Sequence, residues 1–409
     1  MSFAIVSRAL RRTRSSVLSG HAVLVVLSGL LLVPAVARSE SAAAPRQFRV
    51  ASIDAKAPAI AQNGRKAEAI RRSLKRAKLP PGFQIELFAL VPDARRLAVS
   101  HAYDGLFVGT RKSTLWVITI PEGESMPDEI RPFAPSLRFK APEGLCFTAD
   151  GFLVVVEQNR ILAMSTMEFF EGGPEARVVE TVPQGQLIPA SDQPLQDTVR
   201  ACTVGRDMKL YVALGQSGGQ APRDSRAATG SIVRLNPFDG RRREVYASGI
   251  CSPGGMVFNP NDNTLWFTTP RADDGSPSTG TAGFSRVTTA GQSFGCASSS
   301  DETAATKARS AGQGLLFYAG SQFPQPYRGG VFAVQVGLRS GQTDTRLTFT
   351  PVGKDGAPGE TNVFAEGWSD GSRSGLRGRL VDVAQTVDGT LLVSDELAGA
   401  IYKITYVGQ

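Results

Sequence analysis

The sequence predicts an all-β chain closed into a six-bladed propeller, preceded by a signal peptide and a short basic helix. Three observations carry the prediction. A strand–turn phrase recurs six times, at 105–108, 151–155, 209–212, 264–267, 330–333 and 389–393, and most copies sit beside a polar turn such as Asp150-Gly151 or Asp388-Gly389. The copies are spaced by about 46 to 66 residues, the length of a propeller blade with loop insertions. Forty-three glycines and 25 prolines make the chain turn-rich, which excludes a helical bundle or coiled coil. The last apolar run, 400–406, is placed to pair with the first blade and leave no open edge. The repeat makes one ring of residues 79–409 rather than two or three domains.

Taken in order, residues 1–37 read as a cleavable export signal. Arg8, Arg11, Arg12 and Arg14 precede an apolar stretch at 22–36, and Ala35 and Ala37 supply the small-x-small cleavage pattern. The stretch is about 15 residues, short of the roughly 20 that a spanning helix needs. The expected location is periplasmic or secreted, with no transmembrane segment after cleavage. Removal of the four arginines lowers the net charge from +8 to +4. A charge of that size gives no reason to expect nucleic acid as a partner.

Residues 38–78 read as a linker with a short basic helix at its end. The stretch 39–63 is rich in Ala, Ser and Pro and predicts a tether. From 64 to 78, Ala69, Ile70, Leu74 and Ala77 recur at helical spacing among basic residues, and Pro80 and Pro81 stop the helix. The expected surroundings of this helix are solvent, with contact to acidic lipid or a partner as the other reading.

Only His21 and His101 are present, and the first falls in the leader. A zinc site built on two or three histidines is excluded for the exported chain. His101 is expected to be structural or solvated. Cys146, Cys202, Cys251 and Cys296 lack metal-ligand spacing. They allow three disulfide pairings, or serve as small buried hydrophobes.

Several phrases carry a family resemblance: LPPGFQIELF at 79–88, FVGTR at 107–111, NRIL at 159–162, NPFDG at 236–240, REVYA at 243–247, FYAGS at 317–321 and VSDELAGAIY at 393–402. Together, from about 79 to 406, they resemble the glucose/sorbosone dehydrogenase family, periplasmic six-bladed propellers that use pyrroloquinoline quinone (PQQ) with calcium. The resemblance implies a histidine base for the sugar hydroxyl, arginines on the quinone, and carbonyls and carboxylates on calcium.

The site positions depart from that pattern. Asp197 stands at the histidine position, eight residues before the turn at Gly205; a carboxylate can accept the proton if burial raises its pKa. An exposed loop acid is the competing reading. Cys251 and Ser252 replace a cofactor-facing Arg-Asn pair. In the calcium loop the carbonyls of Pro270 and Arg271 remain, Asp273 and Asp274 beside Gly275 are the acidic candidates, and the downstream Asp-Glu pair is missing. The resemblance places Arg339 near the second cofactor-facing arginine, with a surface arginine as the other reading, and implies that Arg379 faces the shaft. PQQ-dependent oxidation of an aldose or sorbosone-type substrate is therefore expected to be weak or lost. The alternative is a non-catalytic propeller that binds a carbohydrate or an envelope protein. Small sugars or aldehydes, or such an envelope partner, are the expected ligands.

Overall fold

The computed structural model describes residues 49–52, 59–100, 105–121, 123–173, 175–189, 199–215, 229–250, 253–268, 283–294, 313–339, 342–368 and 378–408. Chain order begins with β1 (Arg49–Ser52), α1 (Arg65–Leu74) and β2 (Phe83–Leu90). The first blade follows as β3 (Arg96–Ser100), β4 (Gly105–Gly109), β5 (Trp116–Thr119) and β6 (Glu129–Pro132). The second comprises β7 (Gly144–Phe147), β8 (Phe152–Val156), β9 (Ile161–Ser165), a short α2 (Met167–Phe170) and β10 (Glu175–Val182). The third has β11 (Arg200–Val204), β12 (Leu210–Leu214), β13 (Ser231–Leu235) and β14 (Glu244–Ser248). The fourth has β15 (Met256–Phe258), β16 (Leu265–Thr268) and β17 (Phe284–Val287), followed by β18 (Gln292–Ser293), which returns to pair in parallel with β14. The fifth has β19 (Leu315–Phe317), β20 (Val331–Arg339), β21 (Gln342–Thr350) and β22 (Asn362–Ala365). The sixth has β23 (Leu380–Gln385), β24 (Leu391–Asp395) and β25 (Ala400–Tyr406).

Closure comes from β2, which joins the sixth blade as its outer strand. It pairs antiparallel with β25 from Phe83↔Tyr406 to Leu90↔Ala400. The strands β3, β7, β11, β15, β19 and β23 form the inner wall, each packed against the next, and β23 meets β3. The predicted pairing of 400–406 with the first blade is corrected: the run pairs with β2, which precedes the first blade in sequence and completes the sixth.

All six predicted runs are second strands of their blades: β4, β8, β12, β16, β20 and β24. Their apolar character has one physical cause. Successive side chains of a strand point to opposite faces, and each face of a blade is covered by a neighbour. In β12, Leu210, Val212 and Leu214 pack towards the second blade, while Tyr211 and Ala213 pack towards the fourth. In β8, Leu153 and Val155 face one way and Val154 and Val156 the other. A strand covered on both sides reads as a continuous apolar run. Among the described residues the core is accordingly six clusters, one between each pair of adjoining blades.

The turn before four of the runs is set by backbone geometry. Gly151 and Gly389 occupy the left-handed region (φ 81° and 90°) at the last residue before or at the run, and Met208 and Asn263 take the same conformation (φ 60° and 57°). The N–H of each bonds back to a carbonyl at the start of the turn, for example Met208 to Gly205 at 2.9 Å and Gly389 to Thr386 at 3.0 Å. That requirement explains why Gly or a polar residue recurs there.

Two expectations for 38–78 are corrected. The tether carries a strand, β1, which pairs with β10 on the outer edge of the second blade. The helix is not wholly solvated: Ala67, Ile70 and Leu74 are buried in the cluster between the fifth and sixth blades. Ala77 and Leu79 pack against the same cluster. No helix among the described residues is long and apolar enough to cross a membrane. The signal segment, residues 1–37, lies outside the described residues.

Candidate functional site

The inner strands surround a cavity of about 650 Å³. Its wall runs from Arg96 and Asp382, at the end where inner strands begin, to Thr148, Thr203 and Gln385 near the hairpin turns. Cys146 on β7 and Cys202 on β11 form a disulfide in this wall and join the second blade to the third. The sequence had left the pairing open.

Charged residues gather where the inner strands start. Arg95 precedes β3 and is 3% exposed; it meets Glu143 at 2.7 Å and Glu396 at 2.6 Å. Glu143, just before β7, is 2% exposed and also receives Arg111 at 2.9 Å. Arg96 approaches Asp382 at 3.6 Å, while Asp382 accepts the Leu97 N–H at 2.9 Å. Arg200, the first residue of β11, is fully sequestered. Its guanidinium donates to the carbonyls of Gln158 and Val199. Arg379, just before β23, pairs with Glu396.

Burial and charge act against each other here. Burial alone would raise the Glu143 pKa, but Arg95, Arg111 and Arg96 outweigh it and hold the carboxyl below its ordinary value. For Asp382 burial wins and the pKa is raised, with Arg96 opposing. Burial lowers Arg96, with Asp382 opposing, and takes Arg200 down to about 10. Asp395 is also raised by burial. It accepts the Arg379 and Ala398 N–H groups and the Tyr402 hydroxyl, and so acts as a brace. Arg95, Arg96, Arg111, Arg200 and Arg379 outnumber Glu143, Asp382, Asp395 and Glu396. Among the described residues, burial favours the neutral form of Asp382 and Asp395 and also works against the charge on Arg96 and Arg200, so this end is arginine-rich by a count of five to four. The Nε atoms of Arg96 and Arg379 are buried without a hydrogen-bond partner, and the Arg379 side chain is 40% exposed.

The predicted site residues stand as follows. Arg379 lies at the arginine-rich end. Arg339 closes β20 opposite Gln342 in register, at the same end. Asp197 falls in the connection between β10 and β11, Cys251 and Ser252 between β14 and β15, and Pro270, Arg271, Asp273 and Asp274 between β16 and β17. All seven, and His101, lie outside the described residues. The described strands flanking those three connections end where the inner strands begin. Among the described residues no group of three or more His, Cys, Asp or Glu side chains is arranged to hold a metal ion. Arg95, Arg96, Glu143, Arg200, Asp382 and Glu396 were not singled out from sequence. Their available signal was a charged residue at the threshold of an apolar strand, as in Arg95-Arg96, Glu143 and Arg200.

No protein-family model matches the sequence, and no curated protein matches it. Solved structures do. A Trichoderma reesei carbohydrate-active enzyme of family AA12 aligns over 81% of this chain and 98% of its own, at 12% identity and TM-score 0.56. The PQQ-bound aldose sugar dehydrogenase of Streptomyces coelicolor aligns over 80% and 99%, at 16% identity and TM-score 0.51. A glucose dehydrogenase aligns over the same shares at 17% identity and TM-score 0.51. At such identities the likeness is one of fold: the chain shares the propeller of these proteins.

Proposed function

We propose that the protein is an exported, quinoprotein-like sugar or aldehyde dehydrogenase of low turnover, with its site at the arginine-rich end of the shaft. The observation that carries this reading is the surplus of arginines where the inner strands begin. PQQ is a multiply charged carboxylate, and the chemistry of this donor set suits such an anion. Arg379 would hold one of its carboxylates through the exposed part of its guanidinium. When bound, PQQ supplies the two-electron acceptance that the side chains lack. Asp197 would take the proton from the substrate hydroxyl. Calcium would be held by the Pro270 and Arg271 carbonyls with Asp273 or Asp274. The second reading is a ring that binds a carbohydrate or an envelope protein without chemistry. It is favoured by Cys251, where a charged donor is replaced by a thiol.

Titration of the mature protein with PQQ and calcium, followed by quinone absorbance and thermal unfolding, tests the proposal. A hundredfold excess over the dissociation constant should stabilise the fold by about 2.7 kcal/mol. Arg379→Gln should weaken binding by about tenfold or more, the worth of one charge-assisted hydrogen bond. Asp197→Asn should abolish aldose oxidation and leave PQQ binding intact. If the wild type binds no PQQ, the dehydrogenase reading is wrong and the binding-ring reading takes its place.

A further inference from the structure

We propose that the outward face of α1, together with Leu397, is a docking surface for an anionic lipid bilayer. Arg65, Lys66, Arg71, Arg72, Lys75 and Arg76 are all exposed. Glu68 is the helix's one acid, and Arg71 meets it at 2.7 Å. The opposite face is committed to the fold. Ala67, Ile70 and Leu74 are buried between blades, and the Ser73 hydroxyl donates to the Trp368 carbonyl at 3.2 Å. The helix therefore cannot roll its apolar side outward, and its basic side is held towards solvent.

A second observation lies beside it. A Cβ added at Gly399 would come within 2.9 Å of Lys66 Nζ, so Lys66 rests against the turn between β24 and β25. That turn also carries Leu397, which is 55% exposed. Basic residues beside an exposed aliphatic side chain are the combination that seats a protein on acidic headgroups. A protein partner would ask for something else. Interface cores are built on aromatic anchors, and none of the exposed large apolar side chains lies on α1. A fluid layer of anionic headgroups requires only charge within a Debye length and a shallow apolar contact. The inference uses α1 and one turn, so it stands or falls separately from quinone binding.

The test is co-sedimentation of the mature protein with vesicles. Binding is expected to vesicles of equal parts phosphatidylglycerol and phosphatidylcholine at about 20 mM salt, with release at about 300 mM, where screening is strong. Pure phosphatidylcholine vesicles should leave it in the supernatant. Each basic residue near an anionic surface is worth about fivefold in affinity. The Arg71→Gln, Arg72→Gln, Lys75→Gln triple variant should therefore lose roughly a hundredfold, with its thermal unfolding unchanged. Leu397→Ser should lose a few-fold while keeping the salt dependence. The proposal is overturned if the triple variant sediments like the wild type, or if phosphatidylcholine alone suffices. It is equally overturned if the wild type ignores both vesicles but is retained by immobilised polyglutamate, which would assign the face to an acidic protein.

Discussion

Replacing Glu143 with glutamine is expected to destabilise the protein by about 3–5 kcal/mol at neutral pH. The carboxylate lies between Arg95 and Arg111, and removing its charge leaves the buried Arg95 with Glu396 as its remaining counter-ion. The cost comes from a shortage of counter-charge, since the buried Arg95 must then share Glu396 with Arg379. The pH dependence follows from the direction of the shift. The folded-state pKa of Glu143 is lowered below 4.5, so the unfolded chain takes up a proton first as the solution is acidified. Its stabilisation is full above the unfolded value and disappears as the pH falls through the folded one. Urea denaturation of wild type and Glu143→Gln should show a wide gap at about pH 7 that narrows steadily in acid. Equal midpoints at neutral pH would show that the arginines find other partners.

The second large effect is expected at the disulfide. Cys146 and Cys202 are 56 residues apart, and closing a loop of that length restricts the unfolded chain by about 4 kcal/mol in the entropic account. The bond also ties neighbouring inner strands, β7 and β11, whose direct contact is through side chains rather than a hydrogen-bonded ladder. The double variant Cys146→Ser, Cys202→Ser should lose most of that amount in chemical denaturation, and adding a reductant to the wild type should reproduce the loss. A reductant with no effect on the wild type, alongside an unstable double variant, would move the cause from the covalent bond to packing of the two sulfurs.

The fold was legible because its most repeated element is also its most buried. A second strand has neighbours on both faces and both edges, so nearly every position is apolar, as in 210–214, and the turn before it carries a backbone constraint. The inner strands were less visible: β15 and β19 are three residues long, and β7 and β11 keep polar or half-exposed positions where they face the shaft. The helix α1 was legible as a helix but not in its surroundings. Its buried side is only Ala67, Ile70, Ser73 and Leu74, a stripe narrow enough to read as a surface helix. The charged cluster was hidden for a different reason. Arg95 and Glu396 are 301 residues apart and meet only because the ring closes. The resemblance directed attention to Arg379, which does lie at that end. It could not supply Arg95 or Glu143, whose roles arise from this chain's own pairings.

Closure by β2 also fixes an order of events in time. The partner of this strand, β25, ends at Tyr406, so during synthesis β2 waits for more than three hundred residues to emerge. At roughly 5–20 residues per second that is tens of seconds without its ladder. During this interval the sixth blade lacks all its other strands, and α1 lacks much of the core that buries it. The ring therefore stays open for almost the whole of the chain's production. The same delay leaves Phe83–Leu90 as an unpaired, largely apolar strand, the kind of edge that recruits other chains. A holding chaperone is most needed in that window.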